Sequence, residues 1–138
     1  MNWVDEVVDK HKEFESPLSF WRWAALAAIS AVVKDNIWIN QNAFNTYPNI
    51  YVMFHADSGL KKGPPVNMAK KLVTLVANNR VIGGRSSIQG IMKKMATTQS
   101  EQGKRIVKGA SAFICSSELS AAIVGDKVAT DIQIGRAS

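Results

Sequence analysis

The sequence predicts an α/β protein with a mainly parallel sheet, preceded by two N-terminal helices. Three observations carry that expectation. Two apolar stretches, Ile50–Phe54 and Ala110–Cys115, are continuous rather than alternating, the pattern of strands covered on both faces. Between them lie segments whose apolar residues recur at helical spacing, as Val66, Ala69, Leu72, Val73 and Val76 do. The order of elements, two helices and then strands alternating with helices, is the one that crossover connections require.

Composition sets the outer bounds. The 138 residues suffice for one core, organised as a helical segment over residues 1–36 and an α/β core over residues 37–138. A content of 46% hydrophobic and 20% charged residues is ordinary for a globular chain. The net charge of +6, with basic residues spread along the chain, favours polyanionic partners. Cys115 is the one cysteine, so no disulfide closes within the chain, and a cytoplasmic setting is expected. The charged N-terminus has no apolar signal segment. The longest apolar run, Trp23–Val33, is shorter than the roughly 20 residues that cross a bilayer, so no membrane is expected as a partner. His11, His55 and Cys115 have no zinc spacing, and no metal-ligating side chains are assigned.

Taken in order, Asn2 to about Phe14 reads as an amphipathic helix carrying Trp3, Val7 and Val8 on one side. Ser16-Pro17 signals the start of a second helix, Pro17–Lys34, apolar around most of its girdle and therefore a core helix. Asp35-Asn36 breaks it, Ile37–Ile39 is a short strand, and Asn40–Tyr47, with three asparagines, is turn-like. Ile50–Phe54 is the expected central strand. A short strand followed by a turn over Arg80–Gly84, a helix at Ile88–Met95, a polar loop at Thr97–Arg105 and the strand Ala110–Cys115 follow. A short helix at Leu119–Val124 and a strand at Ile132–Ile134 complete the expectation.

The chemistry concentrates at Asn49–Lys71. There the apolar run ends on the small residues Ala56, Asp57, Ser58 and Gly59, followed by Leu60, Lys61, Lys62 and Gly63 and a helix that opens on Pro64-Pro65. A glycine-bearing loop between strand and helix can turn its amides toward one anion. The positive end of the helix dipole adds to them, and a lysine reaches the outer phosphates. Laid on G-x-x-x-x-G-K-[ST], Ala56 takes the first glycine position, Lys61 the second and Lys62 the phosphate lysine, while Gly63 stands where a magnesium-binding hydroxyl belongs. Hydrolysis needs in addition a carboxylate to act on water, and Phe113–Glu118 supplies an apolar strand ending in Glu118. An ordinary lysine-bearing turn and an ordinary helix-starting glutamate are the plain alternatives. His55 closes the apolar run, and the tryptophans on the N-terminal helices are assigned mostly to packing.

With those residues in view, the chain resembles the N-terminal half of a P-loop NTPase of the additional-strand, glutamate-containing type. More narrowly, it is similar to phage and prophage helicase-like proteins related to primase–helicases. The resemblance rests on Tyr51–Phe54, Ser58–Pro65, Ile82–Met92 and Phe113–Leu119, and covers about residues 17–125. It implies ATP binding with Mg2+, motion on single-stranded DNA and a homo-oligomeric ring in the full-length form. By position, the backbone of Ser58–Gly63 would cradle the phosphates, Lys62 would hold the outer ones, and Glu118 would act on water. Gly63 weakens the metal site, with Ser58 or a water as its substitute, and Ser117 stands where an aspartate often helps hold the metal. The sensor residue and arginine finger that the family places further on are not within this half. Nucleotide binding is thus expected more firmly than turnover. Two other classes fit less closely: a non-catalytic module for nucleic acid or a replication protein, with a relic loop, and a small nucleotide kinase.

Overall fold

A computed structural model describes residues 2–77, 81–84, 88–97 and 111–116. The chain divides into two compact units, Met1–Asn78 and Asn79–Ser138.

The first unit begins with helix α1, Trp3–Lys10. Asn2 caps it, its side-chain oxygen accepting the Asp5 N–H at 3.0 Å, and Asp5 and Glu6 lie in the first turn, where the helix dipole favours acidic groups. The helix stops at Lys10, short of the Phe14 that the sequence suggests. At its end the His11 ring donates from Nδ1 to the Val7 carbonyl at 2.6 Å and stacks on Trp21, with centroids 3.9 Å apart. Stacking on a buried ring turns the chain out of the helix and toward the next one.

Helix α2, Leu18–Val33, follows the predicted segment within a residue at each end. Pro17 stands at the N-cap position without a side-chain cap. Lys34 ends it at φ 55 and ψ −129, outside the helical range, with its N–H still bonded to the Ser30 carbonyl at 3.0 Å. Helix α3, Gly63–Ala77, packs against α2. Pro65, Ala69 and Val73, four residues apart, form its buried stripe, and α2 buries Trp21, Ala24, Ala25 and Ala28. Alanines on the contact face let two helix backbones approach closely. Trp21, 2% exposed, is the largest buried side chain, with Phe14 set edge-on against it at 5.3 Å. The two N-terminal helices and the loop and helix downstream therefore share one core.

Between α2 and α3 the chain makes a hairpin of β1, Ile39–Asn40, and β2, Asn45–Thr46, paired antiparallel with Ile39 opposite Thr46. The sequence suggests a turn-like stretch here. The second strand and the tight reversal, with Asn42 at φ 63 and its N–H bonded to the Asn40 side chain at 2.8 Å, are what the asparagines build.

The segment expected as the central strand differs from expectation. Ile50–Phe54 has no ladder partner among the described residues and runs on without regular strand pairing. It is anchored by the Ser30 hydroxyl, which donates to the Pro48 carbonyl, and by Phe54 stacked on Phe20 at 4.5 Å. Tyr51, 98% exposed, and Met53, 70% exposed, point outward between these anchors. The physical reason is that an apolar run supplies side chains to bury, while a strand also needs a neighbour for its N–H and C=O groups.

In the second unit, β3, Val81–Gly83, and β4, Phe113–Cys115, pair in parallel with Ile82 opposite Ile114. One continuous apolar run, Ala110–Cys115, contributes β4, while its partner β3 comes from the Arg80–Gly84 stretch and not from Ile50–Phe54. The Cys115 thiol donates to the Ile82 carbonyl at 3.8 Å, inside this small sheet. Helix α4 spans Ile88–Thr97, reaching two residues past the expected Met95. The expected elements at Leu119–Val124 and Ile132–Ile134 lie outside the described residues, as does the polar stretch after Thr97 up to Arg105. Among the described residues no helix is long and apolar enough to cross a membrane.

Candidate functional site

The candidate site is the loop between Phe54 and α3. Its turn is set by one glycine. The Leu60 N–H bonds the Asp57 carbonyl at 3.3 Å, closing a four-residue turn with Gly59 third, at φ 103. That is the position and sign a type II turn demands. A β-carbon on Gly59 would meet nothing within 4 Å, so the glycine serves the backbone angle rather than a close approach. Gly63 differs: its φ lies outside the left-handed range and its surroundings are equally open.

Lys62 immediately precedes α3. Its ammonium donates to the Ala56 carbonyl at 2.9 Å and makes a longer contact of 3.5 Å with the Asp57 carbonyl, drawing the two ends of the loop together. Because a trans peptide sets its C=O and N–H on opposite sides, the Asp57 N–H faces away from the Lys62 ammonium. The ammonium and that amide thus do not converge on one point in this conformation. The amides of Asp57, Ser58, Gly59, Lys61 and Lys62 have no partner among the described residues. They lie on an exposed loop, open to water or to an anion.

The start of α3 is a weaker anion site than an ordinary helix end. Pro64 and Pro65 have no N–H, which removes two of the four donors a first turn offers. Pro65 instead serves the core, where it is buried. The dipole remains, and Gly63 keeps its amide.

Two residues of the α1–α2 corner reach this loop, and the sequence does not reveal them as its partners. The buried Ser16 hydroxyl donates to the Lys61 carbonyl. The Glu15 carboxylate lies 2.9 Å from the Lys61 ammonium, both groups well exposed and so screened by solvent. Ser16-Pro17 reads locally as a helix start, but Pro17 itself occupies the cap and Ser16 turns its hydroxyl to a residue 45 positions away. Left unpaired, that buried hydroxyl would cost about 1–3 kcal/mol.

For Mg2+ the loop offers the Asp57 carboxylate and the Ser58 hydroxyl, both exposed, while Gly63 offers no side-chain oxygen. Magnesium keeps several waters and needs only one or two protein oxygens beside substrate phosphates, so this donor set fits it sparsely. Among the described residues no group of three His, Cys, Asp or Glu side chains is gathered. His55 is exposed beside the loop. Glu118 and Ser117 lie outside the described residues. Comparison of the chain with family models, with curated proteins and with solved structures gives no match.

Proposed function

We propose that the chain binds ATP through Ala56–Gly63 and belongs to a phage-type helicase or related ATPase, with hydrolysis dependent on Glu118 and on Mg2+. The observation that supports this most is the glycine-turned loop itself. Five unpartnered backbone amides and a lysine ammonium lie on one short exposed segment at the start of a helix. Backbone donors of this kind, with a helix dipole behind them, favour an oxyanion.

Binding in this scheme has a stated first step. The Lys62 ammonium leaves the Ala56 carbonyl, a neutral acceptor, for a phosphate oxygen, an anionic and stronger one. The loop then turns its amides toward the same phosphate. Ser58 and Asp57 would hold magnesium through their side-chain oxygens, and acting on water is the role that the resemblance implies for Glu118. Bound metal would neutralise charge on the phosphate oxygens.

The test is thermal unfolding with ATP–Mg2+. At ligand near about a hundred times Kd, binding adds about 2.7 kcal/mol and raises Tm by several degrees. Lys62→Ala removes the rise, whereas an unchanged Tm for the wild type at millimolar ATP excludes the assignment. A second function is favoured by a separate observation. Ile37, Trp38, Phe44, Tyr47 and Tyr51 are exposed along residues 36–54, a stretch without a charged side chain. That suits a non-catalytic interaction module in which aromatic rings stack on nucleic-acid bases or on a replication protein. Its signature is single-stranded DNA binding that survives Lys62→Ala and is lost with Trp38→Ala.

A further inference from the structure

We propose that the α1–α2 corner, Glu15-Ser16, is the positioning device of the lysine loop, an inference that rests on the nucleotide assignment above only for its ligand. Two contacts carry it, and they act on neighbouring atoms. The buried Ser16 hydroxyl donates to the Lys61 carbonyl and so fixes the plane of the Lys61–Lys62 peptide. Since that peptide is planar and trans, the Lys62 N–H is turned to the side opposite the corner, where it has no partner among the described residues. Glu15 meanwhile holds the Lys61 ammonium 2.9 Å from its carboxylate, at the flank of the loop. The two adjacent lysines are thereby given different tasks. Lys61 is neutralised against the corner, and Lys62 is left to span the loop toward Ala56.

Ser16, which is buried, lies between α1 and α2 in sequence, and its hydroxyl's contact is the Lys61 carbonyl of the loop. Without the Ser16 bond, the Lys61–Lys62 peptide is free to rotate, and the amide at the loop's end loses its fixed direction. Ser16 and Glu15 are positioning residues, and neither is assigned a contact with phosphate.

The experiment uses the full chain with inorganic pyrophosphate, which reads the loop without a base or sugar, and in parallel follows tryptic cleavage after Lys61 and Lys62. Ser16→Ala is expected to weaken pyrophosphate binding about tenfold and to speed cleavage at these two bonds by a similar factor, with far-ultraviolet circular dichroism unchanged. Ser16→Thr, which keeps the hydroxyl, restores both. Glu15→Gln, at an exposed position that does not threaten folding, releases the Lys61 ammonium and speeds cleavage after Lys61 by about two- to threefold at low salt, with a smaller effect at 0.5 M salt, where the exposed pair is more strongly screened. If Ser16→Ala leaves both affinity and cleavage at wild-type values, the positioning role is overturned. If wild type does not bind pyrophosphate while Ser16→Ala still speeds cleavage, the nucleotide assignment falls and the corner's hold on the loop stands.

Discussion

At the scale of residues, the two glycines of the loop carry different physical demands and predict different mutants. Gly59 sits at φ 103 in open space, so Gly59→Ala is strained by its backbone angle and not by a clash. The strain amounts to about 1–3 kcal/mol, and an exposed loop relieves it by abandoning the turn. Pyrophosphate affinity should therefore fall at least about tenfold while Tm moves little, a split that calorimetry and thermal unfolding measure together. Gly63 has neither constraint. Gly63→Ser fits the open space at the first residue of α3, gains roughly 0.5 kcal/mol of helix propensity, and brings a hydroxyl to the position the metal lacks. It should steepen the magnesium dependence of ATP binding, and a drop in Tm beyond about 3 °C would show that the space is not open. The loop's own residues were legible in the sequence because their pattern is local. Ser16 and Glu15 were not, because what they bind lies more than forty residues downstream and a hydroxyl before proline has a simpler local use.

Among the elements, helices were legible and strand pairing was not. The spacing of Val66, Ala69, Leu72, Val73 and Val76 marks the helix, but the stripe it buries is Pro65, Ala69 and Val73, with Val76 69% exposed. Val73 is fully buried, so Val73→Ala should cost about 2 kcal/mol in denaturant unfolding without changing the loop. A strand is a joint property of two segments, and the sequence of one does not name its neighbour. Ile50–Phe54 shows this: it has the continuous apolar character of a covered strand, yet Tyr51 and Met53 face outward and no ladder partner is present among the described residues. Tyr51→Ser accordingly should change stability by less than about 0.5 kcal/mol. A loss above about 2 kcal/mol would show the segment covered in a sheet, as the apolar run by itself suggests. The hairpin of β1 and β2 escaped the sequence for a related reason, since two strands of two residues leave no periodicity to detect. The residues of β3 and β4 lie within stretches that the sequence marks as strands, but that these two pair with each other was not legible.

For the molecule as a whole, the charge of +6 and the fold of the first unit bear on the same question, what anion the chain meets. The basic surplus draws any polyanion, and only the loop discriminates a compact triphosphate from an extended backbone. Salt separates the two. A single-stranded DNA complex loses affinity steeply, with a slope near −0.7 per phosphate contacted, while a nucleotide held by backbone amides responds more weakly. The magnesium requirement then bears on the central claim most directly, because Lys62 supplies the charge and Gly63 withholds the metal ligand. The decisive measurement is isothermal titration of the full chain with ATP, with and without Mg2+, alongside Lys62→Ala. The account predicts saturable one-site binding to wild type, strengthened by Mg2+, and at least about a tenfold loss in Lys62→Ala. Wild type that gives no binding heat at millimolar ATP, or Lys62→Ala that binds as tightly as wild type, would contradict it.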